Sequence, residues 1–453
     1  MSRERIERAL KRATDTKACV IGEDVLPRVV PLFREWFPGA ARATVVCDPR
    51  TRAAAGERVA ALLREAGIEV AEHVLEPGGA TFHADYRYAA EVRDAIAAAG
   101  DPRPVPVAVG SGVVNDLVKR ASGELGAPYL TVATAASVDG YSSFGAALRS
   151  PEGAKITYPC PAPRVVLADL GVLRTAPPPM TASGFADLLA KVVAGADWIL
   201  AHELGAAEWH AEGWETVQGG LPDAVGDPEG VAAMESGALG RLVEGLMLGG
   251  FAMQDMQSSR PASGAEHMFS HLLEMRDHTF RGEIVPHGIQ VGVFTHFMSR
   301  VYERILAFDY GTLDVDACLA RWKPLEEQER IGAQVFAGTK FADLGVKSVR
   351  AKFVDRETQR ARLEGLRARW PQIRERLAAQ LLPAAEVERR LRVVGAPAEP
   401  EEIGSTREAT LADARRTIYM RDRYMALDLL DATGQLDAFA RDAFAGGAKP
   451  PRR

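Results

Sequence analysis

Three short segments carry side chains able to hold a divalent cation. In Ala265-Glu266-His267-Met-Phe-Ser-His271 two histidines stand four residues apart, so on a helix they share one face. In Val285-Pro286-His287-Gly288 a histidine sits at a proline–glycine turn. In Gly184-Phe-Ala-Asp187-Leu-Leu-Ala-Lys191 a carboxylate stands among apolar neighbours near an expected helix start, where burial without a partner is costly. Imidazoles with a carboxylate suit zinc, iron or nickel, and three protein ligands leave coordination positions open to a substrate. Each residue also has a plain reading. Asp187 can be an exposed first-turn carboxylate favoured by the helix dipole, the histidine pair ordinary packing residues, and His287 a structural turn residue. Met268 follows His267, so the metalloprotease pattern His-Glu-x-x-His is absent.

A second kind of chemistry is suggested nearer the N-terminus. Gly110-Ser111-Gly112 follows the apolar run Val105–Val109 and precedes a helical pattern that begins at Val113. Glycines at such a turn let backbone approach a pyrophosphate, and the helix N-terminus adds N–H donors and partial positive charge. The same spacing also makes an ordinary tight turn. The usual third glycine is missing, and the acidic strand-end residue, Asp48, comes before the glycines instead of after them. Asp48 is either an acceptor for an adenosine ribose or the first residue of an Asp-Pro turn. Arg50 and Arg52 could tolerate a 2′-phosphate, so the choice of NAD or NADP stays open. A second small-residue turn, Thr134-Ala135-Ala136-Ser137-Val-Asp139-Gly140-Tyr-Ser-Ser143, follows the next strand.

The elements that must position these groups fall into two patterns. Strand-like runs at Ala43–Cys47, Val70–Leu75, Val105–Val109, Tyr129–Ala133 and Val165–Ala168 alternate with helical periodicity at 51–67, 86–99 and 113–125. That alternation predicts a parallel sheet with helices on both faces. After Pro177-Pro178-Pro179 the pattern is helical: Phe185–Glu203, Gly230–Met253, Ala265–Met275, Gln290–Leu306, Arg356–Gln380 (broken or kinked at Pro371) and Leu411–Leu430. We place a boundary near 175, giving an α/β domain over 1–175 and an all-helical domain over 176–453.

The chain has 453 residues, of which 26% are charged, and a net charge of −6. That balance gives no global reason to bind nucleic acid. The basic stretch 350–376 mixes signs and reads as the wet face of a helix. No segment resembles a signal peptide, and no apolar run has membrane-spanning length. The four cysteines are scattered, which suits reduced thiols in a cytoplasmic protein. The tail 446–453 is expected to be disordered.

Taken in order, these segments resemble the glycerol-1-phosphate dehydrogenases, in particular their bacterial AraM-like branch. That group lies within the superfamily of iron-containing alcohol dehydrogenases and dehydroquinate synthases. The resemblance is carried by Gly110-Ser-Gly-Val-Val-Asn-Asp116, Thr134 to Ser143, Gly184 to Lys191, Ala265 to His271 and Pro286-His-Gly288. It spans roughly 20–310, and Arg421-Asp-Arg-Tyr-Met-Ala-Leu-Asp-Leu-Leu430 is similar to the bacterial branch.

The resemblance implies a Rossmann-like parallel-sheet domain followed by an all-α, dehydroquinate synthase-like domain. It implies Asp187, His267 and His287 as metal ligands. Gly110, Ser111, Gly112, Val113 and Val114 would form the pyrophosphate loop, and Thr134, Ala135, Ala136, Ser137 and Ser143 would be further coenzyme contacts. Asp139 and His271 would be substrate contacts. Iron-dependent relatives carry a fourth ligand, a histidine, where this chain has Lys191, so zinc or nickel is expected in preference to iron. The implied reaction is NAD(P)-dependent, reversible reduction of dihydroxyacetone phosphate to sn-glycerol 1-phosphate, with His271 or a solvent relay supplying the proton. Lys191 is a candidate for the substrate phosphate, against the plain reading of a solvent-exposed helix-face lysine. The expected assembly is a homo-oligomer, a dimer or larger. The rival readings are another polyol or glycerol dehydrogenase, a sugar-phosphate cyclase, or a non-catalytic nucleotide- or phosphosugar-binding protein.

Overall fold

The computed structural model describes residues 3–77, 82–151, 155–339 and 341–445. The tail expected to be disordered lies outside them. Six parallel strands form the central sheet: β1 (Ala18–Gly22), β2 (Arg42–Cys47), β3 (Glu69–Val74), β4 (Val105–Gly110), β5 (Leu130–Ala133) and β8 (Val165–Asp169). A small antiparallel hairpin of β6 (Ala146–Arg149) and β7 (Lys155–Tyr158) intervenes in sequence. The sheet order is β1-β8-β5-β4-β2-β3.

Strand alternation explains why both sheet faces are apolar. Val45 and Cys47 of β2, with Val107 and Val109 of β4, face helices Val29–Trp36 and Glu57–Glu65. Val46 and Ala108 face helices Tyr86–Ala98 and Gly112–Leu125 on the other side. From β2 the chain moves to β3 on one side, and from β4 it moves to β5 on the other. The carboxyl ends of β2 and β4 therefore flank the point where the strand order reverses, the usual ligand crevice of an open α/β sheet. Asp48 and Gly110-Ser-Gly112 stand at those two ends.

By its contacts the chain divides into two compact units. One comprises Met1–Leu188, Glu212–Ser259 and Val393–Ala396; the other Leu189–Ala211, Arg260–Arg392 and Pro397–Arg453. The first holds the sheet and also takes in helix Ser236–Met256. Contacts thus group the segments differently from chain order, and a domain boundary at 175 stays a proposal. Among the described residues the second unit is helical apart from the two-residue strands β9 (Thr279–Phe280) and β10 (Glu283–Ile284) and its connecting loops. Among the described residues no helix is long and apolar enough to cross a membrane.

Several expected boundaries shift, each for a physical reason. The proline run opens a helix, Pro178–Leu189, because proline at the first helical positions lacks only an N–H that has no intrahelical acceptor. Asp187 consequently lies in that helix's last turn, and the expected helix 185–203 is interrupted at Ala190. Helix Arg356–Gln380 runs unbroken through Pro371. The expected helix 411–430 is two helices, Arg407–Thr417 and Ala426–Thr433, with an irregular loop between them.

Candidate active site

In the sheet-bearing unit, two glycines fix the turn after β4. A Cβ at Gly110 would run into the Val114 side chain, and one at Gly112 would meet Val138 Cγ2 at 2.9 Å. The turn therefore presses the start of helix Gly112–Leu125 against the end of β4. The first N–H groups of that helix, at Gly112, Val113 and Val114, have no intrahelical acceptor, and Ser111 offers no side-chain cap. Anion binding by backbone is the chemistry such an end supports.

The next turn is locked beside it. Thr134 N donates to Gly110 O at 3.1 Å, and Tyr141 Oη donates to Ala135 O at 2.9 Å. Thr134, Ala135, Ala136, Ser137 and Ser143 are all buried. The fully buried Lys119 ammonium holds the following loop, donating to Gly140 O at 2.8 Å and Gly145 O at 3.1 Å. Helix Pro178–Leu189 lies directly against the turn: a Cβ at Gly184 would overlap the Ala136 carbonyl oxygen and sit 2.7 Å from its carbon.

That helix carries Asp187, whose side chain is completely buried. Its Oδ2 accepts from Asp139 N at 3.1 Å, so the loop after β5 and the carboxylate are joined by a hydrogen bond. The exposed first-turn reading of Asp187 is thereby corrected. Asp139 itself lies over Gly249, where an added Cβ would approach its Oδ2 at 3.4 Å. Asp48 caps a helical turn: Oδ1 accepts from Arg50 N at 2.8 Å and Thr51 N at 3.0 Å.

In the helical unit, Ala265–Met275 forms the expected helix, and His267, His271 and His287 converge. Ring centroids are 5.4 Å apart for His267–His287, 5.8 Å for His271–His287 and 6.3 Å for His267–His271. Each ring is oriented through Nδ1. His267 Nδ1 is 2.8 Å from Glu266 Oε1. His287 Nδ1 is 2.9 Å from Glu274 Oε1, and His271 Nδ1 is 3.2 Å from Glu274 Oε2. A proton on Nδ1, facing a carboxylate, makes Nε2 the lone-pair atom of each ring. Burial, with help from Arg421 and His287, pushes the His271 pKa down to about 3.

The helix start is fixed by a second buried carboxyl, Asp197. It accepts from Ala265 N at 2.7 Å, Tyr302 Oη at 2.6 Å and Ala426 N at 2.8 Å. Lys191, the candidate for the substrate phosphate against the plain reading of a solvent-exposed lysine, is fully buried. Sequence reasoning assigned no role to Glu266, Glu274 or Asp197. Two of these were within reach of spacing rules: Glu266 adjoins His267, and Glu274 follows His271 by one helical turn.

The iron-containing alcohol dehydrogenase family profile matches residues 20–177. Glycerol-1-phosphate dehydrogenase [NAD(P)+] of Bacillus subtilis (strain 168) is 30% identical over 344 residues, covering 71% of this chain and 84% of that protein. The protein of the same name from Bacillus licheniformis is 32% identical, covering 64% of this chain and 71% of that protein. That from Halalkalibacterium halodurans is 35% identical, covering 58% of this chain and 66%, just under two thirds, of that protein. Among solved structures, glycerol dehydrogenase from Schizosaccharomyces pombe has a TM-score of 0.57 at 16% identity, covering 95% of this chain and 91% of that one. Maleylacetate reductase from Agrobacterium tumefaciens has a TM-score of 0.57 at 16% identity, covering 96% of this chain and 97% of that one. Such structures share the fold: a parallel sheet followed by helices, as in the iron-containing alcohol dehydrogenase superfamily. Within that superfamily the chain belongs to the glycerol-1-phosphate dehydrogenase family.

Proposed function

We propose that this chain reduces dihydroxyacetone phosphate to sn-glycerol 1-phosphate with NADH or NADPH, at a divalent cation ligated by Asp187, His267 and His287. The observation that carries the metal reading is the pair of carboxylates, Glu266 and Glu274, set against Nδ1 of His267 and His287. Imidazoles that ligate metals are oriented in this way through the ring nitrogen that does not ligate. One carboxylate with two such imidazoles is a donor set that can hold an ion, and it suits zinc or nickel. A bound cation would supply Lewis acidity at the substrate oxygen.

The remaining work falls to the chain's own groups. The turns at Gly110–Val114 and Thr134–Ser137, with Ser143, hold the coenzyme. Asp48 combines its capping role with a position at the crevice end of β2. Asp139, fixed by its N–H to Asp187, contacts substrate. His271, kept neutral, positions substrate; its depressed pKa favours proton delivery by way of solvent over direct donation from an imidazolium.

The test is NADH and NADPH oxidation by the zinc- or nickel-loaded protein, with dihydroxyacetone phosphate and dihydroxyacetone compared. Turnover that requires the phosphate is expected. Equal rates with both ketones would point to a glycerol dehydrogenase. No net coenzyme oxidation with either would point to a cyclase or a non-catalytic binder.

A further inference from the structure

The sequence leaves two arginines, Arg50 and Arg52, open to a coenzyme 2′-phosphate, and the fold treats them differently. Both follow β2, whose carboxyl end borders the crevice of the sheet. Arg52 lies one helical turn beyond Asp48, its N–H donating to Asp48 O at 2.8 Å, so its long side chain starts within reach of that strand end. The guanidinium is drawn the other way. Arg52 Nε donates to Glu72 Oε2 at 3.0 Å, and Arg52 Nη1 donates to Glu57 Oε1. Glu72 belongs to β3 and pairs with Val45, two residues before Cys47 at the carboxyl end of β2. At about 3.3 Å per residue, that register stands roughly 7 Å back from the crevice. Arg64 keeps the carboxylate there: its Nη2 donates to Glu72 Oε1 at 2.9 Å and to Val70 O at 3.0 Å. Val70 lies further still from the carboxyl end of β3, so Glu72 leans away from the crevice and takes the Arg52 guanidinium with it.

The strand end itself is anionic. Asp48 is half-buried there, and its Oδ1 accepts the N–H groups of Arg50 and Thr51, which are thereby withheld from any other anion. A ribose 2′-hydroxyl can donate to such a carboxylate, whereas a 2′-phosphate is repelled by it. Arg50 is exposed, and a solvent-screened guanidinium offsets little of that repulsion.

We propose that Glu57 and Glu72 set the choice of coenzyme. By holding Arg52 back along β3 they deny a 2′-phosphate its counter-charge, and the site takes NADH in preference to NADPH. This role rests on the coenzyme reading proposed above, with the dinucleotide at the carboxyl ends of β2 and β4. It names the coenzyme that the reading leaves open and the residues that select it.

Fluorescence titration with NADH and with NADPH, no ketone being present, measures both affinities without turnover. The wild type is expected to bind NADH about 10- to 100-fold more tightly, the size of one or two unmatched charge contacts. Glu57→Gln combined with Glu72→Gln frees Arg52 and should narrow that ratio about 5- to 20-fold. Adding Arg52→Ala to the pair should restore the wild-type ratio. A general loosening of the fold would instead weaken both coenzymes alike and leave the ratio where it was. Should the double variant fail to fold, Arg52→Ala alone decides, at a side chain 39% exposed. A withheld arginine can be removed without changing the ratio, whereas a selective loss of NADPH affinity would show that Arg52 already serves the 2′-phosphate. That loss overturns the proposal. So do equal affinities in the wild type, tighter binding of NADPH, a ratio that the double variant does not move, and a narrowing that survives Arg52→Ala. Binding of neither coenzyme would remove the coenzyme reading itself, and this role with it.

Discussion

Glu274→Gln tests the metal reading at its most exposed point. The Glu274 side chain is 8% exposed, and its two oxygens face His287 Nδ1 at 2.9 Å and His271 Nδ1 at 3.2 Å. The amide is nearly the same size but uncharged, and only one of its two polar atoms accepts. A hydrogen bond to a charged partner contributes about 1.5–3 kcal/mol, against about 0.5–1.5 kcal/mol for a neutral pair. The bond that bears on ligation is the one to His287, so its imidazole should lose about 1–2 kcal/mol of support as a donor. That corresponds to a cation held about 5- to 30-fold less tightly, near the lower end of the roughly 10- to 100-fold losses seen when such partners are removed. Competition with a chromogenic chelator at fixed pH measures it directly, and metal content after dialysis gives a second readout. Glu364→Gln, on an exposed carboxylate paired with Arg360, is the control. If Glu274→Gln binds zinc as tightly as this control, the carboxylate does not support a ligand and the reasoning fails.

Two further outcomes are expected. Gly184→Ala should destabilise the protein by about 1–3 kcal/mol, because its methyl meets backbone that cannot rotate away; a urea midpoint within error of wild type would contradict the close approach. Burial, and next the charge of Glu266, hold the Asp197 carboxyl up at about 7. Its folded pKa thus exceeds its unfolded value of about 3.9. The stability it contributes is complete below about pH 4 and is lost as pH rises towards about 7. Asp197→Asn carries no charge at any pH, so the wild-type advantage over it should shrink between about pH 5 and pH 7.5 in urea titrations. A pH-independent difference would refute the assignment of that titration to Asp197.

The parallel sheet was legible because its strands are short apolar runs between helical repeats, and β2, β4 and the helix Ala265–Met275 needed little more than local pattern. β1 escaped notice, since Ala18–Gly22 is recognisable mainly through its pairing with β8, almost 150 residues away in sequence. The helix that starts within the proline run was not foreseen, because proline's missing N–H matters only after the first turn. The imidazoles were visible as residue types. Their anchors were not, since Glu266 and Glu274 look like ordinary helix carboxylates until their distances to Nδ1 are known. Asp197 was invisible for a different reason: its partners, Ala265, Tyr302 and Ala426, come from segments far apart in sequence.

At Gly184 a helix and a loop meet backbone to backbone, with no side chain between them to act as a cushion. Slack that a rotamer change would normally absorb is missing there, so a displacement of the 134–137 loop towards the helix must be met by movement of the helix backbone itself. On the proposed reading, in which that loop holds the coenzyme, a dinucleotide settling there would bear directly on the helix that carries Asp187.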